Sequence, residues 1–299
     1  MPELPDVTIY IEALEARLVG HTLEKITLKN PFLLRTAEPP LSACEGRAVR
    51  SLRRLGKRIA IGLDDDLWIV LHLMIAGRLH WYERGSTRVR APLVVFEFDN
   101  GMLTLTEAGS KRRASLHVIS GAVALEATDR GGLEVLNASQ AEFRQRLQER
   151  NHTLKRALTD PTILSGIGNS YSDEILHRAK LSPMTQTKQL DDAQWTALHE
   201  ATQSVLQEWI DRLRADAGSQ FPEKVTAFRE GMAVHGRYGK PCPTCGTAIQ
   251  RIRYAENETN YCPRCQTGSK LLADRSLSRL LKDDWPKTID ALENAKPKG

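Results

Sequence analysis

Val7, Ile11, Leu14 and Leu18 recur at helical spacing behind Pro5-Asp6, and Gly20 follows the last of them. That stripe predicts an amphipathic helix that opens at Pro5 and stops before Gly20. The period then changes. Residues 58–63 and 67–71 are apolar-rich runs on either side of Asp64-Asp65-Asp66, which predicts a hairpin. Residues 93–98 and 102–106 flank Asp99-Asn100-Gly101, a sound turn for a second hairpin. Several short strands with turns between them predict a sandwich or barrel over residues 1–124.

Near Gly131-Gly132 the pattern becomes helical. Helices are expected over residues 141–160, 169–180 and 191–214, the last with Trp195, Leu198, Val205 and Trp209 on one face. The polar stretch 216–230 reads as a loop. A cysteine-rich module occupies residues 236–266, and a tail of mixed charge follows from Thr267. There is no internal repeat at solenoid periods. The expected architecture is α+β and multidomain. It comprises a β-rich domain over 1–124, a helical domain over 135–232, a cysteine hairpin over 233–268 and a tail over 269–299.

Bulk composition narrows the function classes only a little. The 299 residues suffice for about two domains, and 41% hydrophobic with 26% charged residues is ordinary globular usage. A net charge of +5 leans toward a polyanionic partner without excluding a small-molecule enzyme. No apolar run is long enough to cross a bilayer. Glu3 and Asp6 at the start of the chain, with no basic stretch ahead of an apolar one, argue against a signal peptide. A cytoplasmic protein with reduced thiols is the expectation.

The strongest chemical motif is Cys242-Pro-Thr-Cys245 followed, after 16 residues, by Cys262-Pro-Arg-Cys265. Two such pairs read as a four-thiolate zinc site, since each knuckle supplies two corners of a tetrahedron. Disulfides do not suit a reducing compartment, and no thioredoxin-like context supports redox thiols. Four protein ligands leave no open position, so one structural ion is expected and a zinc-dependent hydrolase is not. Cys44 stands apart as an ordinary buried or semi-buried thiol. Arg251, Arg253 and Arg264 give the hairpin a basic cast, either for phosphates or as a solvated face.

Four other stretches are open to two readings each. Ser165-Gly-Ile-Gly-Asn169-Ser-Tyr171 joins two helices. Its backbone N–H groups and the Asn169 amide could hold an anion with help from Lys155, or it could be a plain connector. Lys57, behind Gly56, and the basic run Lys111-Arg112-Arg113 could each be ordinary surface charge. Pro2 and Pro5 in MPELPDV could simply lead into the helix. Alternatively, removal of Met1 would make Pro2 a terminal secondary amine, and an α-amine that titrates near ~8 is partly nucleophilic at neutral pH.

In this order the motifs resemble the formamidopyrimidine-DNA glycosylase and endonuclease VIII family of base-excision repair enzymes. The resemblance rests on Pro2-Glu3-Leu4-Pro5, Lys57 and His72-Leu73. It continues through Gly166-Ile167-Gly168-Asn169 with Tyr171 and Glu174, then His235-Gly236-Arg237 and the four cysteines. It implies a two-sheet β-sandwich opened by a helix, a helix-two-turn-helix domain and a zinc hairpin, with DNA between the domains. It implies a monomeric glycosylase/AP lyase acting on double-stranded DNA that contains a damaged base or abasic site. The Pro2 nitrogen would attack C1′ of a flipped nucleotide, and the resulting iminium would drive β and δ elimination. Glu3 would act as acid or base beside the sugar. Lys57 and Asn169 would hold flanking phosphates, with Lys155, Arg112, Arg113, Arg251 and Arg253 as further DNA contacts and Glu174 supporting from behind.

The chain departs from the family pattern in two places. Where the hairpin tip usually carries a phosphate-gripping arginine, spacing from the cysteines puts Asn257 between Glu256 and Glu258. The segment 106–113 has no aromatic wedge, and the methionine wedge of an earlier loop aligns with Ile75, behind Met74. A second function therefore stands beside the first: a relative that binds damaged or distorted DNA with little or no excision.

Overall fold

The computed structural model describes residues 1–86, 91–109, 111–223, 229–254, 257–273, 280 and 286–295. The chain groups into two units. The first contains Met1–Gly132 with the described part of Glu208–Ala227, and the second contains Leu133–Gln207 with the described residues that follow.

The first unit opens with α1 (Leu4–Leu18), one residue earlier than the stripe predicts. Pro5 suits the first turn, and the Asp6 carboxylate accepts the Glu3 N–H at 2.8 Å. Val7, Leu14 and Leu18 are buried as expected, joined by Tyr10, whereas Ile11 is only partly covered. Gly20 carries the chain away at φ +85°, a conformation that disfavours a side chain.

Eight antiparallel strands follow: β1 (Thr22–Leu28), β2 (Arg47–Leu55), β3 (Arg58–Leu63), β4 (Leu67–His72), β5 (Gly77–Glu83), β6 (Val94–Phe98), β7 (Gly101–Glu107) and β8 (Ser115–Ser120). Their order is β5-β7-β6-β1-β2-β3-β4-β8. β1 and β2 are joined only through Thr22↔Ala48 and Leu23↔Arg47, so the strands form two four-stranded layers. Leu52, Ile59, Ile61, Ile69 and Leu71 from one layer share a core with Phe96, Leu103 and Leu105 from the other and with α1. Burial of each such side chain contributes roughly 1.5–3 kcal/mol relative to exposure. β3 and β4 are apolar on both faces because Ala60, Trp68 and Val70 pack on the opposite side against Leu125 of α2 (Ala122–Glu126).

In the second unit the expected helix over 141–160 is two helices. They are α3 (Gln140–Gln148), capped by Ser139 and Glu142, and α4 (Leu154–Thr159), capped by Thr153. The break is tertiary in origin: Thr153 bridges to Gln186, and the Leu154 N–H donates to the Thr185 carbonyl. α5 (Asn169–Arg178) and α6 (Asp192–Ala217) match their predicted spans closely. Residues of α6 from Glu208 group with the first unit. The cysteine module contains the hairpin β9 (Gln250–Tyr254) and β10 (Asn257–Tyr261), then α7 (Pro263–Thr267). The tail is not a loose appendage where it is described. Leu271 N–H donates to the Lys287 carbonyl and Ile289 N–H to the Ser269 carbonyl, and Ile289 at the start of α8 (Ile289–Ala295) is buried.

Candidate functional site

In the first unit, Pro2 and Glu3 lie buried at the foot of α1, Glu3 with only 2% of its surface exposed. Burial holds the amino group at Met1 below the ordinary α-amine range. Glu3 and Asp6 oppose that shift, while Arg78 and Lys57 add to it. Charges of both signs, Glu3 and Asp6 on one side and Arg78 and Lys57 on the other, therefore act on the amino terminus. Arg78, at the start of β5, has no signature in the sequence that separates it from any surface arginine.

Lys57 sits on the two-residue turn between β2 and β3. Gly56 takes φ +60° at the first central position, the geometry of a type II′ turn. Arg58 and His72 are opposite one another across β3 and β4. Burial pushes His72 down to about 4, reinforced by Arg58, Lys57, His117 and Arg130. His117 is also lowered, by burial and then by Arg58 and Arg35. These cations, Lys57 and Arg58, Arg130 and Arg35, come from three separate segments, which is why the linear sequence singled out only Lys57 among them.

Two loops belong to the same unit. Between β4 and β5, Met74 adopts φ +52° and Ile75 is 56% exposed. Gly77 closes that turn by donating its N–H to the Leu73 carbonyl. In the basic run, Lys111, Arg112 and Arg113 are exposed, and Ser110 lies outside the described residues. The Glu107 carboxylate accepts the Arg113 and Ala114 N–H groups, at 2.9 Å and 3.1 Å for the shorter contacts, and so clamps the base of this loop.

In the second unit, the Gly166 turn at φ +81° leads into α5, and Asn169 is its first residue. The Asn169 side-chain amide donates to the Glu258 carbonyl at 2.8 Å. Lys155 is drawn inward, with its side chain only 13% exposed. Its ammonium donates to Asp173 at 2.5 Å and to the Asn169 carbonyl and Ser172 hydroxyl at 2.8 Å. It thus neutralises a buried carboxylate. The same Asp173 pairs with His235 Nδ1 at 2.8 Å and accepts the Asn260 N–H at 3.1 Å. Asp173 and His235, invisible as a pair in the sequence, tie α5 to the cysteine module.

Glu174 accepts the N–H groups of Ala233, Val234 and His235 at 2.7, 2.9 and 2.9 Å. Burial raises its carboxyl, against the pull of these three donors.

The sulfurs of Cys242, Cys245, Cys262 and Cys265 lie within 4.8 Å of one another, with 3.9 Å between Cys242 and Cys265 and 3.4 Å between Cys245 and Cys262. Tetrahedral thiolates at about 2.3 Å from zinc would stand roughly 3.8 Å apart, so the cluster fits that ion. The four thiolates hold one structural zinc ion. Cys44 lies in the core, and burial pushes its thiol up to about 11.

The basic cast of the hairpin is largely offset by neighbouring acids. Arg251 pairs with Glu258 at 3.2 Å and lies 4.2 Å from the Tyr238 ring. Arg264 pairs with Asp290 of the tail at 3.1 Å. Arg253 and Asn257 are exposed, and Glu256 lies outside the described residues.

Comparison with known proteins gives a consistent result. The formamidopyrimidine-DNA glycosylase N-terminal domain pattern matches residues 1–114. The corresponding H2TH domain matches 132–219, and the zinc finger found in FPG and IleRS matches 239–268. A formamidopyrimidine-DNA glycosylase of Heliobacterium modesticaldum is 35% identical over 281 residues, spanning 89% of this chain and all of that protein. An uncharacterized formamidopyrimidine-DNA glycosylase-like protein of Mycobacterium tuberculosis is 43% identical over 151 residues, covering 50% of this chain and 94% of its own length. The Lactococcus lactis Fpg in complex with abasic-site DNA superimposes with a TM-score of 0.78 at 26% identity, covering 89% of this chain and 99% of that one.

Proposed function

The chain belongs to the formamidopyrimidine-DNA glycosylase family and is a DNA glycosylase of base-excision repair, and from that premise we propose that it is bifunctional, excising the base and then cleaving the strand. The nucleophile is the Pro2 nitrogen, exposed by removal of Met1. It attacks C1′ of a nucleotide flipped from the stack, and the damaged base departs. The secondary amine gives an iminium, which acidifies the C2′ proton for β elimination and the C4′ proton for δ elimination. Glu3, buried beside the amine, exchanges protons with the opening sugar. Flipping costs a few kcal/mol, least at damaged sites, which supplies part of the selectivity.

One observation carries this reading. Burial, with Arg78 and Lys57 adding to it against Glu3 and Asp6, holds the Met1 amino group, one residue ahead of Pro2, below the ordinary α-amine range, and Glu3 is buried next to Pro2 in the chain. Lys57 and Asn169 then hold phosphates on either side of the lesion, with Arg112, Arg113, Arg251 and Arg253 as outer contacts. Lys155 acts indirectly, by fixing the start of α5 through Asp173. Ile75, exposed on its turn, fills the gap left by the flipped base. We take the working unit to be a cytoplasmic monomer. Among the described residues no helix is long and apolar enough to cross a membrane.

The test is borohydride trapping on duplex DNA with one abasic site, using protein whose amino terminus has been read by mass spectrometry. Protein beginning at Pro2 should form a covalent adduct and nick the strand, and protein retaining Met1 should do neither. Binding without an adduct from chains that begin at Pro2 would sink the covalent mechanism. It would favour the second reading, a damage-binding protein with little excision, to which the Arg251–Glu258 pairing lends support.

A further inference from the structure

We propose that Glu258 is a built-in competitor of the DNA phosphate for Arg251, so that this carboxylate sets the affinity and salt dependence of the zinc hairpin. The inference rests on the reading that the hairpin faces the DNA backbone.

The register of the ribbon places the charges. Arg253 stands opposite Glu258, and Arg251 opposite Asn260. Alternate residues of a strand share a face, so Arg251, Arg253, Glu258 and Asn260 line one side of the two-stranded ribbon. Two guanidinium groups there are offset by one carboxylate. Arg251 is already engaged, by Glu258 Oε2 at 3.2 Å and by the Tyr238 ring.

Glu258 is placed from beneath. Asn260 donates its side-chain N–H to Glu258 Oε1 at 3.2 Å, and Asn260 itself is only 1% exposed. Its carbonyl oxygen accepts the Gly236 N–H at 2.8 Å, and its backbone N–H is taken by Asp173. The Glu258 backbone carbonyl meanwhile accepts the Asn169 amide. One residue thus engages two of the groups proposed as phosphate ligands, Arg251 through its side chain and Asn169 through its backbone.

A carboxylate and a phosphodiester offer a guanidinium the same pair of oxygen acceptors. Two anions on one cation repel each other, so an arriving phosphate must displace Glu258. Binding then exchanges one anion for another at Arg251, and the freed Glu258 carboxylate takes up a cation that offsets the one released from the phosphate. Removal of the carboxylate should restore that release.

The experiment uses the full-length, zinc-loaded protein and a duplex carrying a tetrahydrofuran abasic analogue. Affinity is measured by fluorescence anisotropy across a salt series for wild type, Glu258→Gln, Arg251→Met and the double variant. Zinc content by native mass spectrometry checks that the hairpin is intact. Glu258→Ala serves as a second removal of charge, with the same direction expected. Glu258→Gln should bind about tenfold tighter, with a log–log salt slope steeper by about 0.9. The double variant should bind no tighter than Arg251→Met. If wild type binds and neither Glu258 variant gains, the competitor is overturned and DNA binding stands. A gain that survives in the double variant also overturns it, because general electrostatics would then suffice. If wild type fails to bind, the DNA-facing reading falls and the competitor with it.

Discussion

The Glu174 carboxylate accepts the His235 N–H at 2.9 Å, together with those of Ala233 and Val234. A single side chain on α5 therefore satisfies three consecutive backbone donors on the approach to the cysteine module. Glu174→Ala would strand all three, two of them in a buried setting and that of Ala233 in a half-buried one. The expected loss is roughly 3–5 kcal/mol, read from urea unfolding of the full chain. A loss below about 1 kcal/mol would show that water replaces the carboxylate freely.

Metal removal should act on the same unit. Thiolates must come together for the hairpin to close, so metal affinity is folding energy. One zinc per chain is expected by elemental analysis, and strong chelation or Cys262→Ser should release it with loss of DNA binding. Retention of full binding without zinc would contradict a structural role for the ion.

Two glycines of the first unit make a matched test. An added Cβ at Gly77 would stand 2.2 Å from the Leu73 carbonyl oxygen, whereas at Gly109 nothing lies within 4 Å and only the positive φ of +85° is unfavourable. Gly77→Ala should therefore cost roughly 2–4 kcal/mol and Gly109→Ala roughly 1–2 kcal/mol. Equal midpoints in thermal melts of the two variants would refute the crowded turn.

The pH dependence of folding should carry the mark of His72. Its folded value is about 4, whereas an unperturbed histidine titrates near ~6.5. Between these limits the unfolded chain binds the extra proton, so stability falls as pH drops through the window from about 6.5 to about 4. Burial is the main cause, and the charges of Arg58, Lys57, His117 and Arg130 reinforce it. His72→Gln should flatten the slope of stability against pH in that window. An unchanged slope would mean that other groups dominate it.

Much of this was legible along the chain because it is local. The α1 stripe, the hairpin turns at residues 64–66 and 99–101, and the paired CxxC knuckles each lie within one short segment. Periodicity and ligand spacing therefore report them directly. The order of the motifs carries the family resemblance, and that resemblance points to Pro2, Glu3, Lys57 and Asn169.

Where residues far apart in sequence meet, spacing carries no information. Lys155 looked available for an anion, yet it neutralises Asp173. The single helix expected over 141–160 divides where Thr153 bridges to Gln186. Arg251 reads as a phosphate contact from sequence, and only the fold shows Glu258 beside it, as it shows Asp290 of the tail beside Arg264.

The sequence by itself determined most of the elements and the zinc ligands, since these depend on neighbours a few residues away. Only the tertiary structure decided which charges are spent on one another and which still face outward. A charge is neutralised by whatever lies within a few ångströms in space, and folding alone sets that distance.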